Sequence, residues 1–204
     1  MFVKICGVHG VGKTTISEMM IKNLTKRGFD ADRVHGADIM ARILGISVDE
    51  LRVLSDDQKV QARELMFREI YKNDHLYPDR IILRDAHFSL RDVKGKKIRS
   101  IPLVDEDREH LKAIVVLTAP KDEILKRRQA DIRVDRSLNI EEINEEIQEE
   151  TKIAREQAQK FGIPLFEVKN FGVLPDRVAD KIVDLLVENS VLPERNGRKI
   201  EIFN

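Results

Sequence analysis

Short apolar runs rich in β-branched residues alternate along this chain with longer stretches whose apolar positions recur every three to four residues. The first kind of pattern predicts buried strands, the second helices with one apolar face. Residues 2–6 (FVKIC) predict a strand, and 14–26 a helix with Ile16, Met19, Met20 and Leu24 on one side. A short second strand is expected within 32–35, a helical stretch over 38–44, and a turn at 45–50 (GISVDE). A helix over 56–72 carries Val60, Met66, Phe67 and Ile70. Residues 80–85 (RIILRD) predict a third strand, followed by a polar loop to about Pro102, and 112–119 (KAIVVLTA) a fourth. Pro120 suits the first turn of the next helix. After a mixed-charge loop over 129–139, a long helix is expected over 140–161, with Ile140, Ile143, Ile147, Ala154, Ala158 and Phe161 on one stripe and Gly162 as its stop. Residues 163–170 give a fifth strand and 175–187 a last helix; the tail 192–204 is read as a turn and a short edge strand. There is no internal repeat. Such alternation calls for a parallel sheet covered on both faces, a single α/β domain.

Composition narrows the partners. Lys plus Arg and Asp plus Glu both number 36 in 204 residues, so the net charge is zero. That gives no clear signal for nucleic acid or an anionic membrane. No apolar run approaches the roughly 20 residues needed to span a bilayer. The first apolar run ends at once in a glycine-rich turn, so no signal peptide is expected. The single cysteine, Cys6, sits in a predicted core strand, which fits a reducing, cytoplasmic setting.

The chemistry begins at 7–15 (GVHGVGKTT), between the first strand and the first helix. Gly7, Gly12, Lys13 and Thr14 satisfy G-x-x-x-x-G-K-[ST], the phosphate loop of ATP-binding proteins. Glycines let the backbone curl so that the amides of the loop, through His9, Gly10 and Val11, point at an anion. The helix that follows adds its positive end. Lys13 is placed to reach the β- and γ-phosphates, the Thr14 hydroxyl to ligate Mg²⁺ and Thr15 to approach the α-phosphate. Asp85 closes the third strand as a carboxylate that holds Mg²⁺ through water would; strand ends also carry turn aspartates. No D-x-x-G at a strand end and no later [NT]-K-x-D marks a regulatory GTPase.

Transfer between two polyanions needs positive charge at both. Arg127 and Arg128 end a predicted helix, and Arg133 and Arg136 follow in a loop beside Asp131 and Asp135. Such a loop can close over the γ-phosphate and exclude water, although charge runs of this kind are commonly solvated. The acidic helix over 140–161 is read the same way, as a solvated face over a core stripe.

Several blocks in order resemble the archaeal-type adenylate kinases of the nucleoside monophosphate kinase family. They are the phosphate loop GVHGVGKTT, HGADIM, the D-x-x-R-x-L stretch in DELRVLSDDQKVQARELM, the D-x-H loop in LRDAHFSLRDVKGKKIRSIPL, the arginine-bearing EILKRRQADIRVDR, and GIPLFEVKN. Three features depart from the family pattern: His9 stands where proline is usual, Asp38 where a small hydroxyl residue is usual, and Arg133 and Arg136 are spaced R-x-x-R. The resemblance implies a doubly wound five-stranded parallel sheet of the P-loop NTPase kind, helices on both faces, and a short lid over about 127–139. It further implies an acceptor segment over about 36–75, an unassigned tail over 192–204, and the possibility of a homo-oligomer. Its implied reaction is Mg²⁺-dependent transfer from ATP to a nucleoside monophosphate, AMP first. Lys13, Arg128, Arg133, Arg136 and Asp85 would be catalytic, the loop and Arg127 would hold ATP, and Asp38, Arg52 and His87 the acceptor. Two other functions fit the same motifs: a kinase of another small-molecule or RNA-end acceptor, and an ATPase that drives RNA or ribosome assembly.

Overall fold

The computed structural model describes residues 1–72, 79–91, 98–131 and 136–193, apart from the side chains of Arg52, Asp56, Ile98 and Arg99. Five parallel strands form the central sheet: β1 (Phe2–Cys6), β2 (Ala31–His35), β3 (Ile81–Asp85), β6 (Leu111–Thr118) and β7 (Leu165–Lys169), in the spatial order β2-β3-β1-β6-β7. The order reverses at β1, so the loop leaving β1 opens into the crevice where sheets of this type bind ligands. β1 is buried along its whole length because both its faces are covered. Val3 and Ile5 pack with α1 (Lys13–Lys26) and α8 (Pro175–Glu188), while Phe2 and Cys6 pack with α4 (Asp56–Tyr71) and α7 (Ile140–Phe161). Two apolar layers result, and alternation of side chains along one strand feeds both.

The remaining helices are α2 (Gly36–Leu44), α3 (Val48–Val53), α5 (Asp107–His110) and α6 (Lys121–Ala130). The predicted turn at 45–50 leads straight into α3, whose Ser47 and Glu50 form a full capping box; a second box, Ser55 with Gln58, starts α4. The loop expected to run to Pro102 instead contains an antiparallel pair, β4 (Ser89–Arg91) and β5 (Ile98–Ser100), lying against α7. Val60 does not join the apolar side of α4: Ala62, Met66, Phe67 and Tyr71 are buried there and Val60 is exposed. Round the helix it lies within about 20° of Phe67, seven residues on, so its exposure comes from its place two turns nearer the start of α4 and not from its phase. Lys94, Lys97, Arg133 and the tail beyond residue 193 fall outside the described residues.

Under the β3 end of the sheet, Arg84, Tyr71 and Asp107 form a buried hydrogen-bonded cluster. Burial raises the Asp107 pKa, but the ion pair with Arg84 and the bonds to Arg84 and Tyr71 outweigh it and hold the carboxyl ionised. Among the described residues, no helix is long and apolar enough to cross a membrane.

Candidate active site

The phosphate loop owes its path to its glycines. Gly7 has φ +139, and a Cβ there would lie 2.6 Å from the Leu117 carbonyl oxygen. Gly12 has φ +97, and a Cβ there would lie 2.6 Å from Asn170 Nδ2. No side chain caps α1 and its first turn carries no acidic residue, so its leading amides and positive end face the loop.

Lys13 is buried and turned back over this loop, donating to the carbonyls of Gly7 (2.7 Å) and Val8 (3.2 Å). Burial lowers its pKa to about 8, against the opposing pull of Asp85 and Glu150. The exposed Thr14 hydroxyl donates to Asp85 Oδ2 at 3.4 Å, and Asp85 is itself buried, with Arg33 Nη1 3.9 Å from the same oxygen. A hydroxyl and a carboxylate side by side at the phosphate end of α1 fit Mg²⁺, which takes few protein ligands and keeps its waters and the substrate phosphates. Thr15 is exposed on the same turn.

His87 and His9 are in contact, with ring centroids 4.1 Å apart and their planes tilted by 56°. Burial first, then the charges of Lys13, His9 and Arg136, hold His87 neutral, although it is hydrogen-bonded to the Gly7 backbone. Its Nδ1 is buried with no hydrogen-bond partner among the described residues. Arg136 thus lies near enough to act on both Lys13 and His87.

Arg127 and Arg128 are anchored beneath the loop. Arg127 donates to the Val11 and Asn170 carbonyls and to Glu123. Arg128 donates to the His9 and Ser137 carbonyls and to Glu146. Gly10 packs directly on this arginine, its missing Cβ 3.2 Å from Arg128 Cγ. Of the residues expected to hold an acceptor, His87 is at the phosphate loop, Asp38 is exposed and pairs with His35 at 3.3 Å, and Arg52 belongs to α3.

Three buried residues of this site were missed from sequence. Asn170 donates to the Val11 carbonyl at 2.8 Å. Glu146 joins Arg128 to Arg91. Glu150 accepts the Gly7 amide at 2.9 Å, the amides of Phe88 and Ser89, and the Ser89 hydroxyl. The expectation of a fully solvated acidic face on α7 is therefore corrected. Its buried row is Ile143, Glu146, Glu150, Ile153, Ala154, Ala158 and Phe161. Both carboxylates continue the apolar stripe at helical spacing, which is the signal that composition concealed.

A family model described as "AAA domain" matches residues 6–145, from the end of β1 into α7. The chain belongs to the AAA-domain family. Among curated proteins, this AAA-domain chain is similar to an adenylate kinase of Methanocaldococcus jannaschii, 27% identical over 190 residues, covering 90% of this chain and 97% of that one. It is also similar to an adenylate kinase of Methanococcus vannielii, 23% identical over 193 residues, with the same coverage of each. The fold is also that of a shikimate kinase from Acinetobacter baumannii solved with shikimate, with TM-score 0.57 and 14% identity over 93% of this chain and 94% of the other.

Proposed function

We propose that this protein is a nucleoside monophosphate kinase, moving the γ-phosphoryl group of ATP to a monophosphate, with AMP the first candidate. The observation that carries the reading is the convergence of buried Lys13, the Thr14 hydroxyl and the Asp85 carboxylate at one phosphate loop. The names of the curated relatives support the acceptor class.

In this reading the loop amides and Lys13, released from the Gly7 and Val8 carbonyls, bind the β- and γ-phosphates. Thr14 and Asp85 hold Mg²⁺, directly and through water, and the ion when bound offsets charge on those phosphates. Arg52 and Asp38 bind the acceptor, and Arg136, with Arg133, screens the transferring group. Arg127 and Arg128 contribute through the loop they hold in place. An acceptor phosphate oxygen bonds to the γ-phosphorus as the bond to the β–γ bridging oxygen breaks, releasing ADP. The acceptor is already anionic near neutral pH, so no general base is needed.

One observation favours a second reading. The unpartnered Nδ1 of neutral His87 is a proton acceptor, which a hydroxyl-bearing small molecule, an RNA end or an attacking water would use. ADP formation from Mg-ATP with AMP, CMP, UMP, GMP and dAMP in turn, beside a control without acceptor, tests the choice. The expected result is fast turnover with one monophosphate over a low control. A panel flat at the background rate overturns the monophosphate reading.

A further inference from the structure

We propose that Glu150 is the positioning residue that holds the phosphate loop and the Asp85–His87 turn in fixed register. Its carboxylate is 1% exposed and lies near the middle of α7. One oxygen accepts the amide of Gly7, the first residue of the phosphate loop. The other accepts the amide of Ser89 at 2.6 Å and its hydroxyl at 2.8 Å, and the Phe88 amide reaches both oxygens at 3.0 Å. Among the described residues four donors and no acceptor are hydrogen-bonded to this group, the pattern of a bound carboxylate anion. Phe88 and Ser89 follow His87 directly, so a single side chain ties the turn carrying Asp85 and His87 to the loop carrying Lys13.

Glu150 touches no reacting atom in this arrangement and acts through the two backbones it joins. A buried carboxylate with all its lone pairs engaged sets distances more rigidly than packing alone.

The proposal rests on the phosphate loop being the ATP site. Its test compares Glu150→Gln and Glu150→Ala with the unmodified protein in two measurements: Mg-ATP affinity by calorimetry, which needs no acceptor, and ADP release. ADP release is read with the best acceptor of the monophosphate panel, or as the background rate if none is found. Turnover is expected to fall on the order of tenfold to a hundredfold, the scale of a small misplacement of reacting groups. Mg-ATP affinity is expected to stay within about threefold in Glu150→Gln, so that the loss falls on kcat. Turnover within about twofold of the unmodified protein, or a loss confined to Mg-ATP affinity, overturns the proposal. If neither variant folds, Ser89→Ala removes one of the four donors and keeps the carboxylate. It is expected to lower kcat several-fold with Mg-ATP affinity held, and an unchanged kcat overturns the proposal. A flat monophosphate panel with the background rate lowered to the same degree in the variants rejects the acceptor and leaves the role of Glu150 standing.

Discussion

On the β1–β6–β7 side of the sheet's carboxyl edge, side chains from three places tie the phosphate loop down: Arg127 and Arg128 from α6, Glu150 from α7, and Asn170 just after β7. On the β2–β3 side, α2, α3 and α4 pack on one another, and two of them close their own first turns with capping boxes. Asp38 is exposed there, and Arg63 is half-buried with its pKa lowered by desolvation and no hydrogen bond or ion pair to the described residues. The first side is a preorganised cradle, whose dipoles need not rearrange when phosphate arrives. The second presents charge without fixing it. Under the proposed function, grip on ATP falls to rigid geometry and choice of acceptor to a surface that its ligand completes.

The largest effect that would break this contrast comes from Lys13→Ala. Turnover is expected to drop by about 10³-fold or more, some 4 kcal/mol of transition-state stabilisation, while the thermal midpoint holds, because the side chain crosses the loop and fills no core layer. In the unmodified enzyme, kcat/KM for ATP should fall as pH rises through about 8, where Lys13 loses the proton that makes it a phosphate ligand. Steady-state kinetics from pH 6 to 9.5 read both; a variant with unchanged turnover would remove Lys13 from the site.

Next is Asp107→Ala, at the base of the acceptor side. It leaves the Arg84 guanidinium buried at 3% exposure without its carboxylate, a loss of about 3–5 kcal/mol. Urea unfolding is the measurement. Mg-ATP affinity should stay within about threefold of the original, since among the described residues the cradle shares no hydrogen bond or ion pair with this cluster; an equal fall in affinity would show the two sides to be one unit.

Both sides were unequally legible in the sequence, for physical reasons. β1 and α7 are long, periodic or bounded by a loop and a glycine, so their ends could be read to within a residue. β4 and β5 are three residues each with two of the three polar, too short for any period to register. The capping box at Ser47 and Glu50 was legible as S-x-x-E but lay under a turn signal from Gly45. In the site, Gly7, Gly12, Lys13 and Thr14 announce themselves because the chemistry needs those types at that spacing. Glu146 and Glu150 hide among six glutamates in pairs at 141–142, 145–146 and 149–150, and only their phase against Ile143 and Ile153 separates the inward members. Arg128 carries the same kind of signal, four residues after buried Ile124 and on its face of α6.

A middling effect sharpens the acceptor side. If Arg52 clamps the acceptor phosphate equally in ground and transition states, Arg52→Ala raises KM for the monophosphate about tenfold with kcat held. An arginine acting on the transferring group would lower kcat instead, by up to ~10³-fold. Initial rates at varied monophosphate and saturating Mg-ATP separate these outcomes, and no change in either parameter would move the acceptor site off α3.

The smallest effect is at Ser55. Its hydroxyl accepts the Gln58 amide at 3.3 Å and donates to the Gln58 side chain at 3.0 Å. Ser55→Ala should therefore cost about 1 kcal/mol by urea unfolding, and Ser55→Gly only a few tenths. Kinetics give the change its use. α4 starts within the segment proposed to hold the acceptor, so fraying of its first turn should loosen that surface while the cradle keeps all its bonds. A rise in monophosphate KM at constant ATP KM would place the end of α4 within the acceptor surface. Unchanged kinetics beside the expected stability loss would confine that surface to α2 and α3, and a rise in ATP KM would contradict the separation of the two sides.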